Sequence, residues 1–167
     1  MIIYVTETKA LRGISMAEAE KVILTNMCMV YDGDRVLVQD RLNTNWKGLT
    51  FPGGHVEKYE SFTDAVIREV KEETGLTVFC PQLCGIKQWA ASEDVRYIVL
   101  FYKTDKFDGE LKSSEEGEVF WMKLEDFRKG DLAPDMSEML DIFLDDNKSE
   151  FYYYSEKIDG EWKYEIK

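Results

Sequence analysis

Histidine is almost missing from this sequence, with His55 the single example among 167 residues. Cysteine is nearly as scarce, and the three present, Cys28, Cys80 and Cys84, are odd in number. A zinc centre built from this set would lack regular ligand spacing and a fourth ligand, and a disulfide framework would leave one thiol over. The cysteines therefore read as reduced thiols of a cytoplasmic protein. Proline is equally sparse, and its three residues mark local boundaries rather than a linker. With no repeat or low-complexity tract, the expectation is one domain over residues 1–167. The longest apolar runs are far too short to span a bilayer and the N-terminus lacks a basic-then-apolar signal, so no membrane partner is expected. Positive charge is in deficit: 21 basic against 33 acidic residues give a net charge of −12, a field that repels the backbone of duplex nucleic acid. A small phosphorylated substrate remains compatible with that field if divalent cations neutralise both sides.

What is present suffices for a core, since hydrophobic residues make up 44% of the chain and aromatics 13%. The apolar run Val22 to Tyr31, then Asp32-Gly33, then Arg35 to Gln39, reads as a strand pair around a tight Asp-Gly turn. Residues 40–50 are polar and turn-rich, a loop with Trp46 as its anchor, leading into Phe51-Pro52-Gly53-Gly54. Phe62, Ala65, Val66 and Val70 recur at three- and four-residue spacing and Gly75 gives a C-terminal stop, which predicts a helix over residues 61–74. Gly85 to Ala91 and Val95 to Lys103 read as paired strands, and Val119 to Lys123 as another. Met136, Met139, Leu140 and Phe143 give an apolar stripe over residues 135–144, a second helix opening at Pro134. Residues 151–167 read as a hairpin turning at Asp159-Gly160, with Phe151, Tyr153, Trp162, Tyr164 and Ile166 on one face and Glu156 opposite Lys163. A cover for the core or a sheet edge is the first expectation for this hairpin; a homodimer contact or a substrate wall are the alternatives.

Chemistry concentrates in the first helix. At about 100° per residue, Glu69, Glu72 and Glu73 project from one side. Like charges one turn apart destabilise a helix unless something neutralises them, and a divalent cation does so. Mg²⁺, with Mn²⁺ as substitute, takes such oxygen ligands, and Gly53-Gly54 just upstream lets backbone approach a ligand closely. A Glu-rich helix face taken alone is usually solvated surface. Here the surrounding spacing argues otherwise: Gly54, five residues, Glu60, seven residues, then Arg68-Glu69-Val70-Lys71-Glu72-Glu73-Thr74-Gly75-Leu76.

Residues 54–76 resemble the Nudix box at each defining position, and the chain is identified on them as a Nudix hydrolase. LTNMCMV before the first turn, LTFPGGHVE into the box and EGEVFWMKLEDF after it resemble the MutT-type subgroup. The resemblance implies an α/β/α sandwich with a central mixed sheet, to which the C-terminal hairpin is added. It implies Glu69, Glu72, Glu73 and the Gly53 carbonyl as metal ligands. Arg68 and Glu60 would pair to orient loop and helix, with Glu57 near the site. His55 departs from the subgroup, where a lysine often stands, so a fixed positive charge near phosphate is replaced by a group largely neutral at pH 7. A water's proton would pass to Glu72 or Glu73, or to an acid of Glu115-Glu116-Gly117-Glu118, with Glu118 favoured over Glu116. The subgroup implies hydrolysis of a nucleoside triphosphate to monophosphate and pyrophosphate, with oxidised dGTP as substrate. Asn26, Phe51, Trp89 and Asp135 are the candidates for holding the purine, Asp135 having an N-cap role as its alternative. A nucleotide sugar, a dinucleotide or an RNA 5′ end keeps the same box with another substrate. A nucleotide sensor without catalysis is the rival from a different class, and it usually loses box glutamates that this chain retains.

Overall fold

A computed structural model describes residues 20–42, 46–154 and 163–167. In chain order its strands are β1 (Lys21–Asp32), β2 (Arg35–Arg41), β3 (Gly48–Thr50), β4 (Thr77–Val78), β5 (Gln82–Ser92), β6 (Val95–Thr104), β7 (Phe107–Asp108), β8 (Gly117–Lys123), β9 (Glu150–Tyr153) and β10 (Tyr164–Ile166). The helices are α1 (Phe62–Thr74), α2 (Leu124–Phe127) and α3 (Met136–Leu144). The main sheet runs β10-β9-β5-β6-β1-β2-β3, with β8 also paired to β2, and it is mixed. β6 lies parallel to β1 over ten residue pairs from Lys21↔Val95 to Val30↔Thr104, and antiparallel to β5.

Strand β1 is covered on both faces, which is why its sequence reads as a continuous apolar run rather than an alternation. Met27 and Met29 pack with Val36, Val38, Phe101 and the α3 residues Met136, Met139 and Phe143. Cys28 and Val30, pointing the other way, pack with Leu37, Leu100, Tyr102 and the α1 residues Val66 and Val70. One helix lies on each side of the sheet, so the expected α/β/α sandwich is what the chain forms.

Helix α1 begins where Ser61 caps it, its Oγ accepting from the Asp64 amide at 3.0 Å. It ends at Gly75, whose φ of 76° lets its amide reach the Lys71 carbonyl at 3.0 Å. An added methyl there would also lie 2.6 Å from the Glu110 carbonyl oxygen.

Three expectations change. The β1–β2 pair is hydrogen-bonded only beside its turn, at Tyr31↔Val36 and Asp32↔Arg35, with Gly33 and Asp34 as the turn residues. Below that point the two strands part. The predicted loop at residues 40–50 contains β3, paired to β2 from Gln39↔Thr50 to Arg41↔Gly48. Trp46 does anchor the segment, its Nε1–H donating to the Pro134 carbonyl at 3.1 Å. In the C-terminal hairpin β9 and β10 pair as Tyr153↔Tyr164 and Phe151↔Ile166, and Phe151 stacks on Tyr164 with centroids 4.7 Å apart. The Asp159-Gly160 turn, Trp162 and Glu156 lie outside the described residues. Lys163 itself is opposite Tyr154, whose amide donates to its carbonyl at 2.8 Å.

Candidate active site

The parting of β1 from β2 makes the site. The edge of β1 that β2 leaves free is taken by the glycine loop instead. Cys28 N–H donates to the Pro52 carbonyl at 2.8 Å, Asn26 N–H to the Gly54 carbonyl at 2.8 Å, and Val56 N–H to the Leu24 carbonyl at 2.9 Å. Gly53 is held to glycine by strand backbone, whereas at Gly54 an added methyl would have to displace the Glu69 carboxylate. A methyl on Gly53 would stand 2.2 Å from the Asn26 carbonyl oxygen, and one on Gly54 2.5 Å from Glu69 Oε2. The loop is therefore sandwiched between strand backbone and the first box glutamate on α1.

Arg68 ties this loop to the helix. Its guanidinium grips Glu60 through Nε at 2.8 Å and Nη2 at 2.9 Å, a two-point contact whose planar fork suits a carboxylate. Nη2 also donates to the His55 carbonyl at 2.9 Å, and Nη1 to Glu69 at 2.9 Å and Glu72 at 3.0 Å. Glu60 accepts the Glu57 amide at 3.0 Å as well. The Arg68 hydrogen bonds, followed by that amide, hold the Glu60 carboxyl down at about 2. The same contacts, Glu60 first, push the Arg68 guanidinium further up. Glu57, expected near the site through its side chain, is exposed and tied in through its backbone amide.

The three box glutamates sit in different surroundings. Glu73 is buried, and its Oε2 accepts the Gly53 amide at 2.9 Å. Its Oε1 is buried and makes no well-formed hydrogen bond, the Glu116 carboxyl being the polar group beside it. Burial, and after it the nearby Glu116 carboxylate, push its carboxyl up to about 8 against the lowering effect of the Gly53 amide. Glu69 is also raised, chiefly by burial, with Arg68 opposing. Glu72 is the outermost, its side chain 59% exposed. Among the described residues no three acidic, histidine or cysteine side chains already converge as a ligand set. Arg68 draws Glu69 and Glu72 to itself while Glu73 turns to the Gly53 amide. The donor chemistry nevertheless fits a hard cation: a buried carboxyl set beside a second one, Glu116, is relieved when such an ion binds. The carbonyls flanking Gly53, those of Pro52 and Gly54, are occupied by β1 amides, which leaves the Gly53 carbonyl as the expected backbone ligand.

Beside the glutamates opens a cavity of about 810 Å³, within the size range of nucleotide and drug-sized pockets. Its glutamate end includes Gly53, Gly54, Glu69, Arg41 and Glu116. Of the two acids weighed before β8, it is Glu116 that lines the cavity; Arg41 Nη2 lies 3.3 Å from its Oε2. Glu118 is exposed within β8, opposite Asp40 of β2, so strand pairing carries it away from the site for which it was favoured.

Trp89, Phe51 and Asp135 all line the cavity, in different ways. Trp89 stacks on Tyr97 with centroids 4.4 Å apart and 13° between planes. Phe51 is almost wholly buried, stacked on Phe127 at 5.0 Å, so most of its surface belongs to the core. Asp135 stands at the N-cap position of α3 with φ 64°, yet its side chain makes no capping bond. Its carboxylate instead accepts from Lys87 Nζ at 2.7 Å and from the Tyr153 hydroxyl at 2.5 Å. Asn26 also borders the cavity and both its amide atoms are buried without partner. However, its pairing with Leu100 puts its side chain on the α1 face with Cys28, whereas Trp89, through Tyr97, belongs to the opposite face. The expectation that Asn26 and Trp89 grip one base together is therefore corrected by strand parity.

Lys87, Arg41, Tyr97 and Tyr153 were not singled out from sequence. Lys87 had a usable signal, since it lies two residues from Trp89 on a strand and so shares its face. Tyr153 had one through the hairpin face, for which a substrate wall was an alternative, whereas Arg41 had none, because strand order alone brings it in.

A family model for the NUDIX domain matches residues 23–143. The chain is 30% identical over 122 residues to the Nudix hydrolase YvcI of Bacillus subtilis, covering 70% of this chain and 76% of that protein. It is 36% identical over 88 residues to the 8-oxo-dGTP diphosphatase of Escherichia coli, 52% of this chain and 66% of that one. The crystal structure of the MutT protein of Bacillus halodurans superposes with a TM-score of 0.69 at 27% identity, over 86% of this chain and 97% of that chain.

Proposed function

This chain belongs to the Nudix family of hydrolases and acts on nucleotide-type substrates as a pyrophosphohydrolase, and from that premise we propose that it cleaves a nucleoside triphosphate to monophosphate and pyrophosphate with Mg²⁺. An oxidised purine such as 8-oxo-dGTP is the proposed substrate and pool sanitation in the cytoplasm the proposed role. The observation that carries the reading is a nucleotide-sized cavity lined by Gly53, Gly54, Glu69 and Glu116 and by the stacked Trp89 and Tyr97, with the buried Glu73 carboxyl hydrogen-bonded to the Gly53 amide. Among the described residues no helix is long and apolar enough to cross a membrane.

In this reading Glu69, Glu72, Glu73 and the Gly53 carbonyl hold the Mg²⁺, and Mn²⁺ substitutes. Once bound, the ion supplies charge neutralisation and Lewis acidity at the phosphoryl oxygens. Arg68 and Glu60 fix the distance between glycine loop and helix, so the carboxylates need little rearrangement to reach their working positions. Arg41, whose Nε is buried without a partner, supplies the fixed positive charge that His55 does not. Glu116, which lines the cavity and neighbours Glu73, takes the proton of the attacking water, in place of Glu118. Trp89 and Tyr97 offer a ring face for the base.

The test is product analysis with Mg²⁺ and a panel of 8-oxo-dGTP, dGTP, ADP-ribose, a dinucleoside polyphosphate and 5′-triphosphorylated RNA. Monophosphate plus pyrophosphate formed fastest from the oxidised nucleotide is the expected result. Faster cleavage of another panel member would overturn the sanitising role, and binding without cleavage of any would overturn the enzymatic reading.

A further inference from the structure

Lys87 is the most unusual side chain in the cavity. It is charged, lies in the middle of β5, and is only 6% exposed. Lysine is almost never buried unless paired, and its partner here is Asp135, 2.7 Å away. Three aromatic rings surround the ammonium, with Trp89, Phe151 and Tyr153 centroids at 5.5, 5.1 and 5.3 Å. Among the described residues Asp135 is the hydrogen-bond acceptor it meets. An ammonium has three donors, so two are left for the rings and for the cavity that Lys87 lines.

The surrounding structure is built to hold this charge in place. Asp135 adopts a left-handed backbone, φ 64° and ψ 0°, which is uncommon away from glycine, and gives up the capping bond its position on α3 would allow. Trp46 fixes the preceding residue by donating to the Pro134 carbonyl, and the Tyr153 hydroxyl clamps the second carboxylate oxygen. Aspartate tolerates that backbone better than most residues, and the side chain freed from capping is the one that meets Lys87 and Tyr153. A purely structural pair would be replaceable by apolar residues at little cost in stability. This pair instead opens on a cavity, with a stacked Trp89 and Tyr97 beside it.

We propose that Lys87, oriented by Asp135, is a specificity-determining residue that selects nucleobases presenting a carbonyl oxygen, rather than an amino group, to this end of the cavity. The inference rests on the nucleotide reading of the cavity given above. Each oxygen of Asp135, the acid a base amino group would seek, already accepts one hydrogen bond, from Lys87 or from Tyr153, which weakens it as an acceptor for the base. The group left to meet the base is donor-only. A 6-oxopurine accepts from it, whereas a 6-aminopurine sets N–H against N–H and leaves a buried charge unmatched.

Binding of the nucleoside monophosphates dIMP and dAMP, which differ at purine position 6, tests this by calorimetry on the full chain without any need for turnover. Wild type should bind dIMP tighter than dAMP by roughly 10- to 100-fold, the worth of one charge-assisted hydrogen bond. Lys87→Met combined with Asp135→Asn, which removes both charges together and leaves no orphaned carboxylate, should bring the ratio near unity. Lys87→Arg, which keeps the donors, should retain the preference. Equal binding of the two nucleotides by wild type overturns the proposal whatever the variants do, and so does a preference that survives in the double variant. A dIMP preference in a protein that hydrolyses no triphosphate would refute the proposed reaction and uphold this one. Triphosphate hydrolysis indifferent to the 6-substituent would do the reverse.

Discussion

Replacing Arg68 with methionine removes the joint between the glycine loop and α1, and the consequence can be worked through contact by contact. Five hydrogen bonds go: two to Glu60, one each to Glu69 and Glu72, and one to the His55 carbonyl. The Glu72 bond contributes little, because that side chain is 59% exposed. Glu60 and Glu69 matter more, at 16% and 13% exposed, since each is left a mostly buried carboxylate without its cation. Truncating one member of a fully buried pair costs about 3–5 kcal/mol, and discounting for the water that reaches this one gives about 2–4 kcal/mol. For a chain of this length that corresponds to a melting temperature lower by roughly 5–15 °C. The assay is thermal unfolding in EDTA and again in excess MgCl₂. The deficit should shrink with Mg²⁺, because the cation relieves the repulsion between Glu69 and Glu72 that Arg68 otherwise quenches. Hydrolysis should fall roughly 10- to 100-fold, as for other groups that orient metal ligands. A melting temperature within about 2 °C of wild type, which is under 1 kcal/mol, would refute the claim that Arg68 holds loop and helix together.

Further outcomes follow from the same geometry. Glu73 has a folded-state carboxyl raised from 4.5 to about 8, so its contribution to metal-free stability is fully present below pH 4.5 and lost as pH rises to 8. Measured in EDTA by urea unfolding, Glu73→Gln should therefore gain on wild type between pH 5 and pH 8, and a pH-independent difference would contradict the buried placement. Glu116→Gln should lower turnover by roughly 100-fold or more, the worth of a general base, while Glu118→Gln leaves it unchanged. The opposite ranking in steady-state kinetics would restore Glu118. Gly54→Ala puts a methyl 2.5 Å from Glu69 Oε2, so Glu69 must move. Turnover should drop roughly 10- to 100-fold with the fold retained by circular dichroism, and a fully active variant would show that Glu69's position is not critical.

The parts of this molecule that local pattern specifies were legible beforehand. Helix α1 carries its own period, its cap at Ser61 and its stop at Gly75, so its bounds and its glutamate face could be read directly. The centre of β1, Met27 to Val30, buried on both faces, announced itself as an apolar run. What stayed hidden depends on which segments become neighbours. Asp32-Gly33 correctly marks a turn, but nothing local says that the strands separate two pairs later, because that follows from β6 filling one edge of β1 and the glycine loop displacing β2 from the other. The same long-range pairing puts Glu116 on the cavity and leaves Glu118, only two residues away, exposed within β8. It also turned Asn26 onto the face away from Trp89. Lys87 read as an ordinary strand lysine until Asp135 and Tyr153, 48 and 66 positions away, arrived beside it.

Divalent-cation binding by the box glutamates is the claim on which the rest depends, and titration of Mn²⁺ followed by electron paramagnetic resonance measures it without turnover. Wild type should bind the ion, Glu73→Gln and Glu69→Gln should each weaken binding by roughly 10-fold or more, and Glu118→Gln should match wild type. Mn²⁺ affinity unaffected by Glu69→Gln and Glu73→Gln alike would contradict the account, since the buried Glu73 carboxyl beside Gly53 and the cavity-lining Glu69 would then hold no metal.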